Sequence, residues 1–144
     1  MGPFTGLPAR HCWKHVKKSK HKTGSGASEA RITEACDLKA KYVIHTVGPR
    51  YKIDKNPETL LAPVYGSSLD LTVSHGCSSI AFPAIACGSY GYTPEEAAKI
   101  SVSVYQRPEY ASLIIYFYLF SDKMTAIWTS ALAESQNRLL SQGD

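Results

Sequence analysis

The chain has 144 residues, of which 44% are hydrophobic and 19% charged, with four cysteines and a formal net charge of +4. This length fits one domain with a single hydrophobic core. No apolar run approaches the roughly 20 residues of a membrane-spanning helix, and the N-terminus lacks the apolar region of a secretory signal. The cysteines form no Cys-x-x-Cys pair, which favours reduced thiols, so we expect a cytoplasmic protein.

The positive charge is concentrated at the N-terminus. Residues 1–26 hold six basic residues and no acid, whereas the remainder holds ten basic and twelve acidic residues. The run from Lys14 to Lys22 predicts a poorly structured basic lead-in over residues 1–22. A solvated tail is one interpretation, and weak nucleic-acid binding through Lys14–Lys22 is the other. The spacing of His11, Cys12, His15 and His21 matches no standard zinc finger, so we expect no metal site.

The first predicted elements are a strand and a helix. Lys41 to Val47 is rich in β-branched residues and ends at Gly48-Pro49, which indicates a strand. A helix is predicted from Pro57 to a stop near Gly76. Pro63 lies inside this helical pattern, and we expect it to kink the helix or delay its start.

The second half of the chain alternates strands and helices. Ser79 to Ala86 and Leu113 to Phe120 read as strands, and the second is apolar throughout, which predicts cover on both faces. Thr93 is predicted to cap a helix that Pro94 begins. A final helix is predicted from Asp122 to about Leu140, with Ile127, Leu132 and either Leu139 or Leu140 facing inward.

The alternation of strands and helices along the chain predicts a mostly parallel sheet that binds ligands at the carboxyl ends of its strands. The segment Gly88 to Tyr92 lies at such an end, between a strand and a helix. Its backbone N–H groups could hold a phosphate, although a tight connection without a ligand is the alternative.

Two further residues have a functional and a structural interpretation. His45 could act as a base, but a hydrogen-bonded core histidine is favoured because no nucleophile with a companion acid is evident. Cys87 precedes a helix N-terminus, which could activate its thiol. A small buried side chain is the favoured interpretation of Cys87.

Two sequence segments, at their particular separation in the chain, form a specific pattern. They are Val43-Ile44-His45-Thr46-Val47-Gly48-Pro49 and the segment from Phe82-Pro83 to Gly91-Tyr92. With Ala30–Thr33, Tyr65–Leu69 and Glu95–Ala98, they resemble the macrodomain, an ADP-ribose-binding α/β family. The resemblance implies a three-layer α/β/α sandwich with a mixed, mostly parallel sheet. It also implies that residues 23–144 form a partial, N-terminally truncated macrodomain.

The resemblance further implies a ligand and its site. The ligand would be ADP-ribose or an ADP-ribosylated protein, bound without a cofactor. The family's second phosphate loop matches Ala86, Cys87, Gly88, Ser89, Tyr90, Gly91 and Tyr92. Its backbone amides would hold the diphosphate, Tyr90 would cover the distal ribose and pyrophosphate, and Phe120 would lie against the adenine. Many members hydrolyse ADP-ribosyl esters, either O-acetyl-ADP-ribose or ADP-ribosyl groups on acidic side chains.

The chain also departs from the family pattern. The family's early Asp, its Asn-Ala-Ala-Asn segment and its Gly-rich first loop do not occur in residues 1–22, and Ala86-Cys87 replaces a common Ser-Thr. Catalytic residues are therefore unassigned, and enzymatic activity is undecided. The alternative is a non-catalytic fragment or interaction module whose basic tail binds nucleic acid or an acidic partner. A sheet without its first strands would have an exposed edge, through which the chain could self-associate.

Overall fold

The computed structural model describes residues 22–23, 30–35, 38–46, 57–85, 87 and 91–143. Its elements, in chain order, are β1 (Lys22–Thr23), β2 (Ala30–Glu34), β3 (Tyr42–Thr46), α1 (Pro57–Ser74), β4 (Ser79–Pro83), α2 (Pro94–Tyr105), a 3-10 turn (Pro108–Tyr110), β5 (Ile114–Tyr118) and α3 (Asp122–Gln142). The alternation of helices and strands from α1 onward agrees with the predicted α/β class.

The described strands form two sheets of different kinds. The first has the order β1-β2-β3 with antiparallel pairing, and Ile32 stands opposite Ile44. The second is the parallel pair β4-β5, in which Phe82 stands opposite Phe117. The carboxyl ends of β4 and β5 therefore lie at the same edge, where the sequence predicted the site.

Helix α1 begins at Pro57, the predicted first helical position, and continues through Pro63 to Ser74. Of the two effects expected of Pro63, the delayed start is wrong, because Pro63 lies inside the helix, six residues after Pro57; a kink at Pro63 stays a prediction. The predicted stop is confirmed, since Gly76 has a φ of +68° and its N–H donates to the Val73 carbonyl. This conformation costs glycine little and ends the helix.

The core lies between the parallel pair and the helices. Phe82 and Phe117 stack with ring centroids 5.8 Å apart, and Tyr65 of α1 meets Phe82 edge-on at 5.2 Å. Tyr105 of α2 and Trp128 of α3 pack against Phe117. Side chains of all three helices thus converge on one face of the β4-β5 pair. Such aromatic pairs each contribute about 0.5–1.5 kcal/mol beyond the area they bury.

One prediction about burial is wrong, and a second is confirmed only in part. The described residues cover strand β5 on one face only, because Ile114, Tyr116 and Tyr118 are each at least half exposed while Ile115 and Phe117 point to the core. In α3 the most deeply buried side chains are Trp128 and Ala131. The predicted inward residues Ile127 and Leu132 pack against the core, but Leu139 and Leu140, one of which was predicted to face inward, are both exposed. The last turns of α3 lie beyond the β4-β5 core that the described residues form.

Within the described ranges, each helix is too short or too polar to cross a membrane.

Candidate functional site

The segment after β4 forms the connection to α2 that the sequence predicted. Cys87 and Tyr92 form an isolated parallel bridge, which brings the two ends of the loop together. Gly91 has a φ of +89°, a conformation that residues with a Cβ rarely adopt. Backbone pairing therefore joins the two ends of the loop, and the conformation just before Tyr92 favours a glycine.

Helix α2 begins in a complete capping box. The Thr93 hydroxyl accepts from the Glu96 N–H at 3.2 Å, and the Glu96 carboxylate accepts from the Thr93 N–H at 3.4 Å. Pro94 has no N–H to offer, and Glu95 adds a second negative charge to the first turn. These features leave few free donors at the start of α2 and make it less attractive to an anion. A phosphate would have to be held mainly by amides of the loop itself.

Cys87 is half-buried at the base of the loop. Burial raises the pKa of its thiol, and the nearby charge of Glu95 raises it further. This shift opposes thiolate formation, so the Cys87 environment is the reverse of that of an activated nucleophile. The favoured interpretation of Cys87 as a small packing residue is consistent with this electrostatic setting.

Tyr65 is a residue whose place under the loop the sequence did not reveal. Its ring is buried, and its hydroxyl makes no hydrogen bond of good geometry to a described residue. Burial raises the pKa of the phenol, a contact with the Ile85 backbone opposes the shift, and the charge of Cys87 adds to it. The helical spacing of Leu61, Tyr65 and Leu69 predicted an inward side chain, but no local signal placed its hydroxyl beside Ile85 and Cys87.

The structure describes four of the eight predicted site residues. Cys87, Gly91 and Tyr92 lie together in the loop, while Ala86, Gly88, Ser89 and Tyr90 lie outside the described residues. The Tyr92 side chain is 3% exposed, so it packs in the core and only its backbone can face a ligand. Phe120 follows β5 and is 88% exposed. Because β4 and β5 are parallel and in register, Phe120 lies at the same edge as the loop.

His45 lies in β3, in the antiparallel sheet. Its Nε2 is 2.9 Å from the Thr33 hydroxyl, and burial lowers the pKa of its imidazole. A half-buried histidine with a hydrogen-bonded neighbour agrees with the favoured interpretation of a structural residue.

The described residues contain no group of three or more His, Cys, Asp or Glu side chains that could hold a metal ion. The histidines and Cys12 that were considered for zinc lie outside those residues, as do nearly all of the lysine-rich run 14–22 and the side chain of Lys22.

The sequence profile of the Macro domain matches residues 8–101. The chain is 54% identical over 106 residues to a macro domain-containing protein of Vibrio parahaemolyticus, a match that covers 74% of this chain and 62% of the relative. It is 42% identical over 112 residues to an O-acetyl-ADP-ribose deacetylase of Cronobacter turicensis, covering 73% and 62% of the two chains.

Solved structures give the same result. The Oceanobacillus iheyensis macrodomain with ADP superposes with a TM-score of 0.72 at 31% identity, over 78% of this chain and 61% of that one. A Trypanosoma brucei macrodomain in complex with ADP-ribose superposes with a TM-score of 0.64 at 27% identity, over 76% and 47%.

The chain therefore belongs to the Macro domain family and has its α/β fold, as the sequence predicted. It spans about three-fifths of the length of the Vibrio and Cronobacter relatives and of the Oceanobacillus structure.

Proposed function

We propose that the chain binds ADP-ribose at the carboxyl edge of β4 and β5, with the diphosphate on the backbone amides of residues 86–92. The observation that carries this proposal is the loop geometry, a Cys87–Tyr92 bridge with Gly91 at positive φ, at the shared end of two parallel strands. The macrodomains of Oceanobacillus and Trypanosoma with bound ADP and ADP-ribose support the choice of ligand.

In this proposal the parts of the ligand have separate contacts. The adenine lies against the exposed ring of Phe120, a contact that stacking would stabilise. The pyrophosphate lies on the loop, and Tyr90 covers the distal ribose. Glu95 and Glu96 place negative charge beside the loop, which weakens anion binding. We therefore expect an affinity that rises when either charge is removed.

Hydrolysis of an ADP-ribosyl ester is the finer proposal, supported by the name of the Cronobacter relative. The chemistry would be attack by water, assisted by the ligand's own phosphate and the loop amides. Cys87 is an unsuitable nucleophile, because burial and Glu95 both raise the pKa of its thiol. We therefore test ADP-ribose binding before ester hydrolysis.

The test is calorimetric titration of the full chain with ADP-ribose, using two matched glycine variants. Gly91→Ala and Gly76→Ala both force a Cβ into positive φ, at a cost of about 1–2 kcal/mol each. Gly76 lies at the end of α1 with open space around it, so its variant controls for backbone strain. We expect Gly91→Ala to weaken ADP-ribose binding at least tenfold and Gly76→Ala to leave it unchanged.

An absence of heat at millimolar ADP-ribose would contradict the proposal, as would equal losses in the two variants. The alternative prediction, binding of nucleic acid or an acidic partner by a basic tail, calls for the same titration with RNA at low and high salt. Binding through the 1–22 lead-in would weaken steeply with salt and disappear when those residues are deleted. The boundary between that lead-in and a macrodomain over residues 23–144 is part of this proposal.

A further inference from the structure

The hydroxyl of Tyr65 is a buried polar group that the proposed ADP-ribose contacts do not use. The Tyr65 side chain is 1% exposed, and its ring packs edge-on against Phe82 at 5.2 Å and tilted against Phe117 at 6.3 Å. Packing against two rings holds the hydroxyl in one place. A phenylalanine at position 65 would keep these ring contacts without burying a polar atom, so the hydroxyl needs an explanation separate from that of the ring.

This hydroxyl has no hydrogen-bond partner of good geometry among the described residues. Buried polar groups in proteins are nearly always hydrogen-bonded, because an unpaired one has lost its water without gaining a partner. The free chain therefore keeps a donor in its core that a change in a neighbouring group can satisfy.

The Tyr65 hydroxyl lies at the start of the loop. Burial raises the pKa of the phenol, a contact with the Ile85 backbone opposes that shift, and the charge of Cys87 adds to it, so the hydroxyl is close to both residues. Ile85 directly precedes residues 86–92, and Cys87 pairs with Tyr92 to join the two ends of the loop. Because the hydroxyl is buried, it approaches the loop from the core.

The geometry of the peptide bond couples the core side of the loop to its ligand side. A trans peptide unit is planar, so its N–H and its C=O point in opposite directions. The unit that joins Ile85 to residue 86 carries the Ile85 carbonyl and the N–H of residue 86. Turning that N–H toward a diphosphate turns the Ile85 carbonyl toward the core, where a buried carbonyl needs a donor. The Tyr65 hydroxyl is a donor at this place.

We propose that Tyr65 is a positioning residue of the loop, whose hydroxyl donates to the Ile85 carbonyl when ADP-ribose holds the N–H of the same peptide unit. The bond is made in the bound chain and not in the free chain, so it stabilises the bound conformation relative to the free one. Tyr65 acts through the backbone and does not touch the nucleotide. This inference rests on the proposed ADP-ribose binding and adds to it a residue that sets the affinity from beneath the site.

The experiment is calorimetric titration of the full chain with ADP-ribose, using two tyrosine-to-phenylalanine variants. Tyr65→Phe removes the hydroxyl and keeps the ring. Tyr105→Phe is the matched control, because Tyr105 also packs against Phe117, at 6.2 Å, but lies at the far end of α2, roughly 16 Å along the helix from Pro94. We expect Tyr65→Phe to weaken binding about fivefold, the effect of one hydrogen bond, and Tyr105→Phe to leave it unchanged.

Two further measurements separate positioning from a structural role. ADP carries the same diphosphate, so Tyr65→Phe should weaken its binding by the same factor. Without a ligand, the free energy of unfolding of Tyr65→Phe should be no lower than that of the wild-type chain, because the free chain lacks the bond. A loss of affinity that accompanies an equal loss of stability would overturn the proposal.

The titrations also distinguish this inference from the proposed function. Equal affinities of the wild-type chain and Tyr65→Phe would overturn the role of Tyr65 while ADP-ribose binding stands. Equal losses in Tyr65→Phe and Tyr105→Phe would do the same, because only one of the two hydroxyls lies beside the loop. A wild-type chain that does not bind ADP-ribose would overturn both.

Discussion

Tyr110 donates a hydrogen bond from its hydroxyl to Oδ1 of Asp70 over 2.6 Å, across 40 residues of sequence. The same hydroxyl lies 3.4 Å from the Gly66 carbonyl, and the ring is buried. Burial, and then the hydrogen bond and charge of Asp70, raise the pKa of the phenol well above its ordinary value. The hydroxyl therefore remains a donor at physiological pH and holds the 3-10 turn against α1.

The first prediction is that Tyr110→Phe destabilises the fold. The change removes a hydrogen bond to a charged group, a class of bond that contributes about 1.5–3 kcal/mol to stability. Because Asp70 is exposed, we expect the loss in the free energy of unfolding to lie near the lower end of this range. Urea unfolding followed by circular dichroism measures the free energy of unfolding. Tyr118→Phe, at an exposed site on β5, is the control and should leave that free energy unchanged. Equal values for the two variants would contradict the assigned role of the bond.

The same substitution at Tyr65 should have a different result. Its buried hydroxyl has no hydrogen-bond partner of good geometry among the described residues, so Tyr65→Phe removes an unsatisfied polar group and no bond. We expect the free energy of unfolding to stay constant or to rise by about 1 kcal/mol. The measurement is the urea transition used for Tyr110→Phe. A large loss of stability would show that the Tyr65 hydroxyl has a partner in the loop above it.

The third prediction concerns the capping box of α2. Thr93→Ala removes the acceptor for the Glu96 N–H and should cost about 1 kcal/mol, whereas Thr93→Ser keeps an acceptor and should cost less. Ser103→Ala, at an exposed position of the same helix, is a control for the loss of a hydroxyl away from the cap. Thermal unfolding of the three variants ranks them. The assignment fails if Thr93→Ala is no less stable than Thr93→Ser.

The fourth prediction concerns the reactivity of Cys87. Burial and the charge of Glu95 both raise the pKa of its thiol, so Glu95→Gln removes the second cause and lowers that pKa. More thiolate then forms at a given pH, and alkylation of Cys87 by iodoacetamide should be faster at pH 8. Mass spectrometry of the Cys87 peptide measures the rate, with the exposed Glu109→Gln as control. An unchanged rate in Glu95→Gln would refute the electrostatic coupling.

The fifth prediction concerns stability at acid pH. Burial lowers the pKa of His45 below its ordinary value of 6.5, so protonation favours the unfolded chain. The contribution of His45 to stability is present above 6.5 and is lost as the pH falls through the folded-state pKa. His45→Gln should reduce the difference in the free energy of unfolding between about pH 7.5 and pH 5. NMR titration of His45 provides a direct check, and a midpoint at or above 6.5 would contradict the shift.

Local sequence signals were sufficient where one short segment decides the structure. The start of α2 at Thr93-Pro94 and the stop of α1 at Gly76 were both predicted, because caps depend on residues within a few positions. Strand β4 was predicted to reach residue 86 but ends at Pro83. Pro63 does not delay the start of α1, because packing of the helix against the core offsets a local penalty that acts on one turn.

The sequence by itself determined the family, the order of strands and helices from β3 onward, and the position of a loop at the end of β4, but it did not predict β1 and β2. It could not decide which faces are covered, because burial depends on partners distant in the chain. The apolar run of β5 predicted cover on both faces, yet only Phe117 and its neighbours on the inner face meet the helices. Tertiary packing also placed the Tyr65 hydroxyl close to Ile85 and Cys87 and exposed Tyr116, since burial and proximity join residues that are far apart in the sequence.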